Sequence, residues 1–237
     1  VQDGDGYRLS GQKRLVLDGG AASDYVVLAR ESGESADRDG LVLVMIPADD
    51  ERVVVRNQQL LDGRSVANIS FHNVAVSEDQ LLGNRDDVPD IVDDIFAKTA
   101  VILSAEMTGG IQSTFEMTLE YLKTREQFGS KIGSFQGLKH RAARWFCELE
   151  LSKAIVLEAL RAIDSDSEEM IKLASVCKAR VSDTYHLSGK EGIQMHGGIG
   201  VTDEHDVGLY MKHGWVTEIL FGDSLYHRLK FAGAQGY

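Results

Sequence analysis

Cysteine and proline are nearly missing from this chain, with two of each in 237 residues. Two cysteines make neither a disulfide framework nor a zinc site. Cys147 and Cys177 both fall in helix-like segments, so they read as buried free thiols, and no metal is expected. No apolar run approaches the ~18 residues of a membrane-spanning helix. Cations are scarce too: 25 Lys and Arg stand against 37 Asp and Glu, for a formal net charge of -12. Without clustered cations there is no surface for nucleic acid or for an anionic membrane. Val1 to Gly6 shows no basic-then-apolar leader, and Val1 to Tyr7 reads as a turn dropping into a strand without an initiating Met. The expectation is a cytoplasmic, soluble protein with protein or small-molecule partners, its segment starting inside a larger polypeptide.

What is present changes character near residue 89. Up to about Gly83 the chain uses short β-rich runs punctuated by Gly and Asp, at Tyr7–Ser10, Tyr25–Ala29, Leu41–Ile46, Val53–Val55 and Ala67–Phe71. Even spacing with turn residues between predicts an antiparallel sheet or barrel, with Glu31–Gly40 as a long polar hairpin loop. Both prolines, Pro47 and Pro89, then lie behind, and apolar residues recur every three or four positions. The first predicted helix carries Ile91, Ile95, Ile102, Ala105, Ile111, Phe115, Leu119 and Leu122 on one face, with a bend expected at Gly109-Gly110. The second runs from Phe135 to Ile163 and buries Leu138, Ala142, Trp145, Phe146, Leu149, Val156 and Leu160; the third spans Glu168 to Met195. The fourth starts near Thr202 or Asp203 and carries Leu209, Trp215, Ile219, Leu225 and Leu229. Long helices with short connections predict an antiparallel four-helix bundle over 89–237, behind a β domain over 1–88.

Two segments stand out. Arg125-Glu126-Gln127-Phe128-Gly129-Ser130-Lys131-Ile132-Gly133-Ser134-Phe135-Gln136 joins the first two helices, and Gln194-Met195-His196-Gly197-Gly198-Ile199-Gly200-Val201-Thr202 joins the last two. Glycines after a helix let backbone approach a phosphate or ribose, and an Arg with Gln side chains supplies hydrogen bonds to such a group; the same glycines also serve as plain C-caps. Together the pair resembles the acyl-CoA dehydrogenase family, with its Arg-x-x-Phe-Gly…Phe-Gln and Gln-x-x-Gly-Gly-x-Gly segments. Gly11-Gln12-Lys13 with Asp18–Tyr25 resembles that family's central-domain hairpin, and Phe71–Val76 with Leu81-Leu82-Gly83 resembles the exit strand. The resemblance covers essentially the whole chain. It implies a central antiparallel β domain followed by the C-terminal four-helix bundle, with the family's N-terminal helical domain absent from this segment. It also implies FAD shared between subunits: Arg125 at the pyrophosphate, Phe128 and Gln136 along the adenosine path, and Gln194, Gly197 and Gly198 admitting the nucleotide.

The chain departs from that pattern where the flavin ring and the base belong. The family's Trp and Thr on the ring-binding strand are replaced by Leu15 and Leu17. A base is needed to remove the α proton of the thioester, and a Glu in an apolar cavity suits the task. The family's two positions for it fall on Phe221, within Leu220-Phe221-Gly222-Asp223, and on Thr99; neither can act as a base. Glu106, two turns beyond Thr99 on the same helix face, and Glu218, one turn before Phe221, define an alternative, a catalytic homo-oligomer with a relocated base. A scaffold protein that keeps only the fold is a third reading. Asp223 would repel a pyrophosphate unless it points away. His196 and His227 read as lone surface or satisfied histidines, Trp145-Phe146 as core, and Glu204–Asp206 as a solvated helix start. The leading expectation is a subunit of an α2β2 acyl-CoA dehydrogenase resembling those that actinobacteria use on sterol side chains. A second dehydrogenase-like subunit would hold the ring, the base and most of the acyl-CoA, and an electron-transfer flavoprotein would accept the electrons.

Overall fold

The structure is a computed structural model that describes residues 2–3 and 6–237, and its contacts divide the chain into two units, Val1–Asp93 and Asp94–Tyr237. The turn expected at the N-terminus involves Val1, Gly4 and Asp5, which lie outside the described residues.

The first unit is built from antiparallel strands. β1 (Gln2–Asp3), β2 (Gly6–Leu17), β6 (Ser65–Val76) and β5 (Val53–Gln59) form one sheet in the order β1-β2-β6-β5. β3 (Asp24–Arg30), β4 (Leu41–Pro47) and the short β7 (Leu81–Leu82) form the other, in the order β3-β4-β7. Side chains alternate across a strand, so Tyr25 and Val27 of β3 and Val42, Val44 and Ile46 of β4 point one way. They share a core with Ala67, Ile69, Phe71, Val74 and Val76 of β6. The Tyr25 hydroxyl is satisfied inside that core by donating to the Gly19 carbonyl at 2.7 Å. The polar loop after β3 is organised by Arg30, whose guanidinium donates to the carbonyls of Ser32, Asp37 and Asp39 at 3.2, 2.6 and 2.8 Å.

The register of β2 against β6 slips twice, between Leu9 and Gly11 and between Lys13 and Val16. At the first slip Asn73 adopts φ 53°, and Ser10 Oγ both donates to its side-chain oxygen at 2.9 Å and accepts from its amide at 3.0 Å. At the second, Leu15 adopts φ 55° and its amide donates to Asn68 Oδ1 at 3.1 Å. Such bulges bend a strand and re-aim a side chain, and here the residue re-aimed is Leu15.

The second unit is helical. α1 (Val88–Thr124), in which the unit boundary falls, runs without a break through Gly109-Gly110 and is followed by α2 (Gln136–Asp164), α3 (Met170–His196), α4 (Val207–Ile219) and α5 (Ser224–Ala234). One core joins Val101, Met107, Ile111 and Phe115 of α1 to Trp145, Leu149 and Val156 of α2 and to Cys177, Val181 and Tyr185 of α3. Buried hydroxyls on α1 need no outside partner, because Ser104, Thr108, Thr114 and Thr118 each donate to the carbonyl four residues back at 2.7–2.8 Å. Close approach is set by glycine. A Cβ on Gly110 would sit 2.3 Å from the Tyr185 hydroxyl, and one on Gly214 would sit 2.8 Å from its ring. Tyr185 of α3 is therefore wedged between the backbones of α1 and α4.

Several sequence expectations are corrected here. The fourth helix is two, α4 and α5, broken where Phe221 and Gly222 take φ values of 56° and 99°. Its periodic apolar residues Leu209, Trp215, Ile219, Leu225 and Leu229 are all exposed, and α4 instead buries Val207, Gly214, Val216 and Thr217. Ile91, Ile95 and Ile102 of α1 likewise face outward, as does Phe146, which is 49% exposed beside a fully buried Trp145. Cys177 is buried, which pushes its thiol up to about 11, whereas Cys147 is exposed.

The Tyr185 wedge makes a direct prediction. Gly214→Ala should cost about 1–3 kcal/mol of stability in urea unfolding, because the methyl must displace a rigid buried ring. Gly208→Ala, in the first turn of the same helix with nothing within 4 Å of the added carbon, should change stability by no more than about 1 kcal/mol.

Candidate functional site

The first singled-out segment is a tight hairpin at the C-terminal end of α1. Lys131 Nζ donates to the Thr124 carbonyl at 2.9 Å and pairs with Glu126 at 2.7 Å, so the helix end is capped by a cation. β8 (Glu126–Gln127) and β9 (Ser130–Lys131) pair antiparallel, and the Ile132 amide closes the loop on the Arg125 carbonyl at 2.9 Å. The two turn residues, Phe128 and Gly129, both have positive φ, 56° and 79°, the geometry of a two-residue hairpin turn. Glycine takes that conformation freely, but for a bulky residue it is an outlier. Phe128 is held there with its ring 91% exposed at the hairpin tip. Arg125 is exposed, and so is Gln136, the first residue of α2. Phe135 offers no side-chain cap to that helix, whose first turn has no acidic residue.

The second segment ends α3. Gly197 is the C-cap residue, with φ 64°, and its amide bonds the Gln194 and Ile193 carbonyls. The three glycines have different causes. Gly197 is required by its φ. Gly200 is required by packing, since a Cβ there would sit 2.7 Å from the Ile193 carbonyl oxygen. Gly198 is required by neither: its φ is ordinary and nothing lies within 4 Å of the missing carbon. Gln194, Gly197 and Gly198 are all exposed.

Both segments lie at the same end of the helical unit. Tyr121, in the last turn of α1, packs its ring 4.6 Å from that of His196, the last residue of α3. Arg141 near the start of α2 pairs with Glu191 of α3 at 2.7 Å. His196 is not a lone histidine, since His205 stacks on it at 4.3 Å. It is buried; Nδ1 lies 2.7 Å from the Gly192 carbonyl, and Nε2 has no partner among the described residues. His227 is also buried, with Nε2 2.9 Å from the Phe221 carbonyl and Nδ1 without a partner among the described residues. The nine-residue spacing of His196 and His205, with Tyr121 far away in sequence, gave no signal of this cluster.

The positions where a base was sought are occupied as the sequence indicated. Phe221 packs edge-on against Phe96 of α1 with ring centroids 5.9 Å apart, and Thr99, one turn along, spends its hydroxyl on the Ile95 carbonyl at 2.7 Å. Neither alternative acid sits alone in an apolar cavity: Glu106 lies 3.3 Å from His213, and Glu218 3.8 Å from His186. Asp223 is the N-cap of α5, accepting the Tyr226 amide at 2.8 Å, which explains a carboxylate at that position. In the β unit, Leu15 is exposed on its bulge and Leu17 half-buried. A groove of about 620 Å³ between the sheets is lined instead by the other end of β2, including Leu9, Gly11 and Lys13, and by Val27, Val44 and Phe71.

The glycines that end α3 and the exposed Arg125 that follows α1 thus lie at the same end of a helical unit that follows an antiparallel β unit in the chain. The chain belongs to the acyl-CoA dehydrogenase family: the family's C-terminal domain matches residues 90–234. The bovine mitochondrial short/branched chain specific acyl-CoA dehydrogenase is 28% identical over 224 residues, covering 93% of this chain and 51% of that protein. Acyl-CoA dehydrogenase IpdE2 of Mycobacterium tuberculosis is 40% identical over 117 residues, 48% of this chain and 35% of its own length. Among solved structures, an FAD-dependent dehydrogenase superposes with TM-score 0.92 at 25% identity, over 99% of this chain and 64% of that one. The ChsE4-ChsE5 complex from Mycobacterium tuberculosis gives TM-score 0.87 at 23% identity, over 99% of this chain and 61% of the matched one. The chain thus spans about half the length of the bovine relative.

FAD is the cofactor this family implies. The helix-junction residues fit its nucleotide half, because Gly197 and Gly198 leave backbone open and Arg125 offers an exposed cation. The β2 positions do not fit the ring in the family's manner, since Leu15 and Leu17 have neither a hydroxyl donor nor an aromatic face.

Among the described residues no helix is long and apolar enough to cross a membrane. Burial lowers the pKa of both His196 and His227, so the folded protein resists protonating them. The unfolded chain binds those protons near pH ~6.5, and stability is therefore lost as pH falls below that value towards the lower folded ones. Urea midpoints should decline from pH 7.5 to 5, and His196→Phe, which keeps the stack on Tyr121, should flatten part of the slope. A midpoint independent of pH over that range would contradict the buried neutral imidazoles.

Proposed function

We propose that this chain is the base-lacking subunit of a heteromeric, FAD-dependent acyl-CoA dehydrogenase of α2β2 form that desaturates an acyl-CoA thioester between its α and β carbons. Arg125 binds the pyrophosphate of an FAD whose ring lies in the partner subunit. Phe128 and Gln136 line the adenosine path, and Gln194, Gly197 and Gly198 let the nucleotide approach the end of α3. The partner supplies the ring pocket, the base and most contacts to acyl-CoA, and an electron-transfer flavoprotein takes the electrons. The proposed substrate class is the CoA ester of a sterol side chain, and the proposed location is the cytoplasm. FAD, when bound, accepts the hydride from the β carbon.

One observation carries this reading. The residues suited to a nucleotide are exposed together at one end of the helical unit, and at Gly198 neither backbone conformation nor packing demands a glycine. The positions that would serve an active site within the chain instead hold Leu15, Leu17, Thr99 and Phe221. The strained Phe128 adds weight, because a bulky side chain in the left-handed region persists where surroundings or function require it. The apolar residues exposed along α4 and α5 suit burial against another subunit.

Expression with and without a second dehydrogenase-like chain tests the proposal. The chain alone should purify colourless, and the pair should carry one FAD per pair that an acyl-CoA bleaches anaerobically. Arg125→Ala in the assembled pair should weaken FAD binding by roughly 10- to 100-fold, the scale of a lost charge-assisted contact. A chain that binds and reduces FAD by itself would favour the relocated base at Glu106 or Glu218, and unchanged FAD content in Arg125→Ala would favour a scaffold.

A further inference from the structure

Lys178 lies in the first half of α3 and is fully buried. An ammonium is tolerated there only if its three donors are matched. They are: Nζ donates to the Glu218 carbonyl at 2.8 Å, to the Gly222 carbonyl at 2.9 Å and to Ser182 Oγ at 3.2 Å. Glu218 is in the last turn of α4, where a cation also meets the negative end of the helix dipole. The ammonium therefore ties the end of α4 to the far side of the turn that follows it.

A second group works on the same turn. His227 of α5 meets the Phe221 carbonyl at 2.9 Å. With the carbonyls of residues 218, 221 and 222 all engaged from below, Phe221 is held at φ 56°, and its ring meets Phe96 edge-on. A Cβ on Gly222 would lie 2.3 Å from the Tyr226 ring, and its φ is 99°, so only glycine fits at that position of the turn.

We propose that Lys178 is the positioning residue of the Leu220–Asp223 turn, the pin that fixes which way the side chain at 221 faces. The pin itself stands on geometry; its functional meaning rests on the reading above, in which 221 is the vacated base position. Lys178 performs no chemistry. It holds the turn so that the side chain at 221 faces the stretch of α1 carrying Phe96 and Thr99, and in this chain that places an aromatic wall where a carboxylate would otherwise stand.

Amide hydrogen exchange in the purified assembly tests it. In Lys178→Met, which keeps the apolar stem and removes the ammonium, amides of Leu220–Ser224 should exchange at least tenfold faster, while those of Val181–Gly192 in α3 change less than twofold. If that variant does not fold, the unmodified protein answers by titration. Burial pulls the ammonium down to about 8 against the Glu218 and Asp223 carboxylates and the neighbouring Cys177, which act the other way. His227 titrates below that range. Opening the turn returns Lys178 to water and its ordinary, higher pKa, so opening takes up a proton, and protection of the turn, corrected for intrinsic exchange, should therefore rise between pH 7 and 9.5 while that of α3 holds. Unchanged turn protection, or an equal change in both segments, overturns the pin. FAD content of Arg125→Ala reports on the subunit reading separately, so the two can fail independently.

Discussion

The helical unit depends on how closely α3 can approach its neighbours. Tyr185 fills the space between Gly110 of α1 and Gly214 of α4, where added methyl groups would overlap the ring. Farther along α3, Gly192 does the same for Thr114 and Val207, each of which would lie 2.9 Å from a Cβ. That approach brings the ends of α1 and α3 together, so Tyr121 can lie on His196 and the two connecting segments can share one end of the unit. The candidate nucleotide cradle is thus a consequence of packing two turns away. Side chains in the interface are small or self-satisfied, with hydroxyls turned back on their own helix, so the close contact leaves few polar groups in need of an outside partner.

Helix positions were legible in the sequence because the 3.6-residue period does not depend on what a stripe packs against. The identity of the buried stripe was not. Leu209, Trp215 and Ile219 recur on one side of α4 and satisfy any amphipathic template, yet the side turned inward carries Gly214, Val216 and Thr217. A hydrophobic period marks a face that avoids water and says nothing about whether the cover comes from the same chain. The break between α4 and α5 was missed for a related reason. Phe221 is a good apolar residue in helical register, and only the pinned carbonyls reveal that its backbone leaves the helix.

In the β unit the strands were legible from turn residues and β-branched runs, but the bulges were not, because they arise from pairing. Leu15 looks in sequence like one more alternating position. Its conformation is set by the Asn68 side chain, fifty-three residues away along the chain, which takes the amide that a regular ladder would have paired.

A braced backbone of this kind recurs at Phe221. At both positions a non-glycine residue holds a left-handed backbone, φ 55° and 56°, and neither leucine nor phenylalanine favours that conformation on its own account. What holds each is a neighbour with a polar group: the Asn68 amide side chain at one, Lys178 and His227 at the other. The support at Phe221 is costly to leave unmatched, since a buried ammonium without partners is far less stable than one fully bonded. Removing a reactive side chain from such a turn costs little, whereas removing the turn would strand the groups that brace it. A backbone frame braced in this way can therefore outlast a change of the side chain it carries, which is what the proposed base-lacking subunit requires at position 221.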